Sequence, residues 1–180
     1  NLALDAIKNP KIIDDKEKVL RYTEMIREEN KRMHSQVENV LRISKLEKNQ
    51  LDLTSSLADL HDVIRDAVTH VDLIVKDKGG YINENLNAAQ TDVMVSSFHF
   101  TNVIVNMLDN AIKYSMDSPK IDIDTENEGN NIILKITDQG IGMSKNVQKH
   151  IFDKFYREQK GNIHDIKGHG LGLSYVKKIV

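Results

Sequence analysis

From about Asp14 to Lys48, apolar residues recur at Val19, Tyr22, Ile26, Met33, Val37 and Val40, at spacings of three, four or seven. Glu, Lys and Arg fill the remaining positions. This pattern predicts one long amphipathic helix with a heptad-like seam. A helix of that length cannot bury its stripe alone, so a hairpin partner and a second protomer are implied. Ahead of it, Asn1–Lys8 is a short helical stretch that stops at Asn9-Pro10, a turn signal.

The pattern changes after Leu51–Thr54, which reads as a short strand or linker. Asp59 can cap a helix running to about Lys76, with Val63, Ile64, Ala67, Val71 and Ile74 on its apolar face. Gly79-Gly80 ends that segment. Tyr81–Leu86 and Asp92–Val95 read as a β-hairpin, and Ser97 opens a further helix that Pro119 stops. Ile121–Thr125 alternates as a strand, Glu126–Asn131 is a polar turn, and Ile132–Asp138 returns as a β-branched strand. Ser144–Tyr156 reads as a helix with Ile151, Phe152 and Phe155 packed on its apolar side, and Tyr175–Val180 is again helical. The expected architecture is α+β. A helical hairpin, residues 1–53, precedes an α/β sandwich, residues 54–180, in which helices face one mixed sheet.

Composition narrows the chemistry. Hydrophobic residues make up 39% of the 180, enough for a core, while 29% are charged, in keeping with a long solvated helix. A net charge of −2 gives no reason to expect nucleic acid or an anionic membrane as partner. With no cysteine, disulfides, thiolate zinc sites and cysteine nucleophiles are excluded. No apolar run approaches the ~20 residues that span a bilayer, and the amino end does not read as a signal peptide.

The candidate chemistry lies on three stretches. Within Asn102–Ser115, Asn106, Asn110 and Lys113 share one helical face, opposite Ile104, Leu108 and Ala111. An Asn carbonyl oxygen suits a hard cation such as Mg²⁺, and a Lys one turn away is placed to meet a phosphate. A polar surface helix reads equally well from this stretch alone. Next, the strand Ile132–Thr137 leads into Asp138-Gln139-Gly140-Ile141-Gly142-Met143. Its carboxylate can accept from an exocyclic base amine, and its glycines let a ligand approach the backbone. Finally, Gly168-His169-Gly170-Leu171-Gly172-Leu173 precedes a helix, a setting in which backbone N–H groups cradle phosphate. Neither glycine cluster is a P-loop or a Rossmann fingerprint, and a turn is the commoner reading of each alone.

Taken in order, these stretches resemble the sensor histidine kinases of two-component signalling, within the superfamily of ATPases (the Bergerat or GHKL type) that includes type II topoisomerases and heat-shock chaperones. NMLDNAIKYS is similar to that family's N box, DQGIGM to its G1 box, IFDKFYR (Ile151–Arg157) to its F box and GHGLGLS to its G2 box. The resemblance implies Mg²⁺ at Asn110, with Asn106 beside it in the phosphate and metal region. Lys113 would meet phosphate and Tyr114 would border the nucleotide. Asp138 would take the adenine amine of ATP, in a pocket shaped by Gly140 and Gly142. Arg157 would contact phosphate from the base of the lid, residues 157–167. Gly168, Gly170, Leu171 and Gly172 would bring the following helix close to the triphosphate.

The resemblance also implies a homodimer formed through the helical hairpin, which Arg42–Leu53 would leave as the family's hairpin does. It further implies a response-regulator receiver domain as partner, and a cytoplasmic portion of a protein anchored in the inner membrane by other segments. No nucleic-acid partner is expected. The family's phosphoacceptor is a His followed by an acidic residue and a Thr-Pro pair, and this chain has none. His34, His61 and His164 read as surface histidines, and the acceptor is expected upstream of Asn1. Two alternatives stay open: a nucleotide-binding scaffold without turnover, and a superfamily ATPase using Asp109 as general base.

Overall fold

The computed structural model describes residues 15–47, 54–157 and 170–180, and the chain divides into two units, Asn1–Leu51 and Asp52–Val180. In the first unit, helix α1 runs over Lys16–Glu47. Its first turn is fixed by Asp15, which accepts from the Lys18 backbone N–H and pairs with the Lys18 ammonium at 2.7 Å. Met33 and Val37 of the predicted seam are exposed in the single chain, at 51% and 59%. The side chain of Val40 lies outside the described residues, as do the expected stretches Asn1–Lys8 and Leu51–Leu53.

The second unit begins with strand β1, Ser56–Asp59, followed by helix α2, Leu60–Asp77. Asp59 caps α2 as its sequence position predicts, accepting from the N–H groups of His61 and Asp62. It also accepts from the Thr91 hydroxyl, and that bond above all holds its carboxyl below the usual carboxylate range. Strands β2, Tyr81–Leu86, and β3, Asp92–Val95, lead into helix α3, Ser97–Lys113. Strands β4, Lys120–Glu128, and β5, Asn131–Asp138, follow. Two short helices complete the described residues: α4, Lys145–His150, and α5, Gly172–Ile179.

The strand pairing corrects two expectations. β2 and β3 do not form a hairpin: β2 pairs with β4 in parallel, and β3 pairs with β1 antiparallel. The five strands therefore make a two-stranded sheet and a mixed three-stranded sheet ordered β2-β4-β5, rather than one sheet. The cause is the connection between β2 and β3. Asn87 donates to the Thr125 carbonyl, and Ala88 donates to the Thr125 hydroxyl. The Asn127 side chain accepts from the N–H groups of Ala89 and Gln90 and donates to the Gln90 carbonyl. The connection is stitched to β4, and the chain leaves it in the direction of β1 instead of turning back on β2.

Helices α2 and α3 lie on the three-stranded sheet. Ile64, Ala67, Val71 and Val75 from α2 meet Ile104, Leu108 and Ala111 from α3 and Ile121 and Ile123 from β4 in one buried core. Burial of large aliphatic side chains contributes about 1.5–3 kcal/mol each and sets the two helices against β4. Ile74, expected on the apolar face of α2, is instead 47% exposed, because the stripe advances by four from Val71 to the fully buried Val75. His61, expected at the surface, is buried, and its Nε2 lies 2.9 Å from the buried Thr125 hydroxyl.

The predicted helix over Ser144–Tyr156 is much shorter. Ser144 caps α4 by accepting from the Val147 N–H, but the helix ends at His150. Phe155 has φ +62°, which no right-handed helix accommodates, and its N–H donates to the Gly170 carbonyl at 2.9 Å. Phe152 and Phe155 are consequently exposed rather than packed, and Val147 supplies the buried contact. The Lys177 ammonium stands 5.7 Å from the centre of the Phe152 ring, a cation–π contact with α5.

Candidate nucleotide site

Helix α3 organises the site. Its hydrophobic residues Ile104, Leu108 and Ala111 are buried in the core, which turns the opposite face, with Asn106, Asn110 and Lys113, outward as the spacing predicts. The three residues do not present the same chemistry. The Asn106 amide donates to the Asn102 carbonyl at 2.7 Å, which fixes the direction of its oxygen. The Asn110 carboxamide is half-buried and makes no hydrogen bond among the described residues, so its oxygen is available to a ligand. The Lys113 ammonium is engaged by Asp109 at 2.6 Å. That pair is about two-fifths exposed, and such surface pairs contribute only about 0–1 kcal/mol, so an incoming phosphate competes for the lysine at little cost.

Both glycine segments are held against α3. At its C-terminal end, the Tyr114 carbonyl accepts from the Ile141 N–H at 3.1 Å, and the Asp138 carboxylate accepts from the Gly140 N–H at 2.8 Å. A Cβ on Gly140 would stand 2.7 Å from the Asp138 carboxylate and 2.9 Å from the Tyr114 carbonyl, so only glycine fits between them. One Asp138 oxygen is thus turned toward the loop while the carboxylate remains exposed at the end of β5. Gly142 follows with φ +66° and open space around it.

Farther along α3, Gly172 at the start of α5 lies against Asn106, where an added Cβ would come within 2.7 Å of the amide oxygen. Gly170 has φ +66° and abuts the backbone of Phe155 and Tyr156, with Leu171 buried after it. Arg157 is exposed at the end of the same backbone stretch. Gly168 and His164 lie outside the described residues, as does most of the predicted lid. Two polar residues that no motif marks join α3 to α5: His99 Nδ1 lies 2.8 Å from the Tyr175 hydroxyl, both buried. They are 76 positions apart, and nothing local to either residue signals the pairing.

Known proteins resemble this chain in sequence and in fold. Residues 95–180 fit the model of the histidine kinase-, DNA gyrase B-, and HSP90-like ATPase family, and they form an ATPase domain of that family. Across its full length the chain is 36% identical to the sensor protein RprX of Bacteroides fragilis, of which it covers 35%. Among solved structures, the Acinetobacter baumannii histidine kinase AdeS superimposes over 98% of this chain and 76% of its own, with a TM-score of 0.68 and 24% identity. The histidine kinase ThkA, in complex with response regulator protein TrrA, superimposes over 92% of this chain and 45% of its own, with a TM-score of 0.69 and 19% identity. Over these residues the chain is similar to proteins named as sensor proteins and histidine kinases. It spans about a third of the length of the curated relatives it matches.

Proposed function

We propose that this chain binds Mg-ATP and acts as the catalytic part of a sensor histidine kinase. In the whole protein the γ-phosphoryl group passes to a histidine imidazole and then to an aspartate of a response regulator. The observation that carries this reading is the convergence on α3. Gly140-Ile141 packs on Tyr114 and Gly172 packs on Asn106, so both glycine segments line the helix that bears Asn110.

On this reading Asp138 accepts the adenine amine, with Gly140 and Gly142 shaping the pocket and Tyr114 at its edge. Asn106, Lys113 and Arg157 face the phosphates, together with the backbone of Gly170, Leu171 and Gly172. Gly168 takes the same role by its place in the motif. The Asn110 oxygen, unpartnered among the described residues, fits a hard cation that keeps phosphate oxygens and water as its other ligands, and Asn110 would hold Mg²⁺. When bound, that ion neutralises charge on the transferring phosphoryl group. The protein's own part in such a transfer is mostly positioning. Asn106 is oriented by Asn102, Asp138 is pinned by Gly140, and Lys113 exchanges Asp109 for phosphate.

The relatives' names and the ThkA–TrrA complex support a response regulator as the downstream partner. The exposed Met33 and Val37 support homodimerisation through α1. No helix among the described residues is long and apolar enough to cross a membrane.

Calorimetry with ATP and GTP tests the site. Asp138→Asn removes the acceptor charge and is expected to weaken ATP binding by about 1.5–3 kcal/mol, the scale of a hydrogen bond to a charged group. GTP, with a carbonyl where adenine carries its amine, should bind poorly to the unsubstituted chain. Equal affinities for ATP and GTP would remove the role given to Asp138.

A further inference from the structure

Helix α5 has eight residues and no side-chain cap, since Leu171 occupies its N-cap position. A helix that short has no stability of its own and takes its position from tertiary contacts. Its buried attachments are Leu171, Tyr175 and Val176. Leu171 and Val176 are aliphatic, and such contacts hold a helix down without fixing how far it slides along its axis. Tyr175 differs. Its hydroxyl lies 2.8 Å from His99 Nδ1 and 3.4 Å from the His99 carbonyl, and the two rings are 6.3 Å apart. Both residues are about 95% buried, where a hydrogen bond is stronger and an unmade one is costly.

Sliding α5 by one residue displaces it by about 1.5 Å. That is enough to break the Tyr175 bond and to move Gly172 away from Asn106, against which it now fits with no room for a methyl group. We infer that His99 and Tyr175 are positioning residues that lock α5 in register on α3, so that the backbone at Gly172 meets Asn106 where the phosphates bind. This rests on the ATP-binding reading above and assigns to it two residues outside all four motifs. His99 lies in the first turn of α3 and Tyr175 in the middle of α5. Neither touches the proposed phosphate position; both act through Gly172 and Asn106.

Phosphate-dependent affinity separates this role from ordinary packing. In the 180-residue chain, Tyr175→Phe keeps the ring and removes the hydroxyl. It should weaken ATP binding about 3–10-fold, the loss of one net hydrogen bond, and leave adenosine binding unchanged. Hydrogen exchange should accelerate at the α5 amides and stay slow in α2. The double variant His99→Leu/Tyr175→Phe removes the bond from both sides, and its ATP affinity should stay low because the directional bond is gone. Equal losses for ATP and adenosine, or an ATP affinity restored in the double variant, would show a purely structural pair and overturn the inference. Unchanged ATP affinity and unchanged α5 exchange in Tyr175→Phe would overturn it as well. If the unsubstituted chain binds neither ligand, the functional reading fails, and the α5 exchange rates still decide whether the bond fixes the helix.

Discussion

Three glycine-to-alanine substitutions should produce three different results, although all fall in segments with the same composition. Gly142 and Gly170 have the same φ of +66°, so each alanine carries the left-handed backbone cost of about 1–2 kcal/mol. Around Gly142 there is nothing within 4 Å, and that cost is the whole effect. At Gly170 the new Cβ would lie 2.6 Å from the Tyr156 carbonyl oxygen and 2.7 and 3.0 Å from the carbonyl carbon and Cα of Phe155. All three neighbours are backbone atoms, so none can swing aside, and relief requires breaking the Phe155–Gly170 hydrogen bond. That bond adds about 0.5–1.5 kcal/mol to the loss. Gly172 has ordinary helical geometry, where alanine is favoured over glycine by about 0.5–1 kcal/mol. Its new Cβ meets only the Asn106 side chain, which can rotate away. Gly172→Ala should therefore leave stability unchanged or raised while lowering ATP affinity, because Asn106 loses its orientation. Urea unfolding followed by circular dichroism, alongside ATP calorimetry, reads both quantities. If Gly170→Ala costs no more than Gly142→Ala, the backbone contact at Gly170 is not limiting. If Gly172→Ala binds ATP normally, the contact with Asn106 carries no function.

The other predictions address single residues. Because the folded structure lowers the carboxyl pKa of Asp59, its stabilising contribution is complete above the unfolded value near 3.8 and disappears as pH falls through the lower folded value. Asp59→Asn, which keeps a capping side chain, should be less stable than the parent at pH 7, with the gap closing below pH 3.8; a gap that persists at pH 2 would mean the charge is irrelevant. On the proposed homodimer, Val37→Asp should give monomers by placing a charge in the α1 seam, with residues 54–180 still folded. Sedimentation showing dimers in both chains would place the contact elsewhere. In a longer chain that includes the acceptor histidine, Asn110→Ala should abolish acid-labile, base-stable phosphate labelling by removing the proposed metal ligand. Labelling retained at the parent rate would take the metal away from Asn110.

How much could be read from the sequence divides by distance along the chain. The two faces of α3 and the Asp59 cap follow from spacings of four residues or fewer, and both stand in the structure. The β2–β3 hairpin did not hold, because its alternative rests on Thr125 and Asn127, 37 or 38 positions from the amides they bind. The helix over Ser144–Tyr156 shortened for the same reason, since the partner that draws Phe155 out of it is Gly170. His61 offered no sign of burial, as its partner Thr125 is 64 residues away. At the site, the face bearing Asn106, Asn110 and Lys113 was legible, and the Asp109–Lys113 pair four residues apart lies within the same reach, whereas the His99–Tyr175 bond across 76 positions required the structure.

The hydrogen bond from Phe155 to Gly170 has a consequence for how such a protein can diversify. It brings together the two ends of whatever lies between, so the fold on either side is blind to the length of that segment. Each doubling of the length of a segment between joined ends costs only about 0.6 kcal/mol in closure entropy. Insertions, deletions and changes of charge between Tyr156 and Gly170 can then accumulate without disturbing the core of α2, α3 and β4. Asp138 and Gly140 are anchored separately, through Tyr114, at the far end of α3. The proposed base-binding and phosphate-binding segments are thereby held at separate points along α3, and selection can retune one while the other stands still.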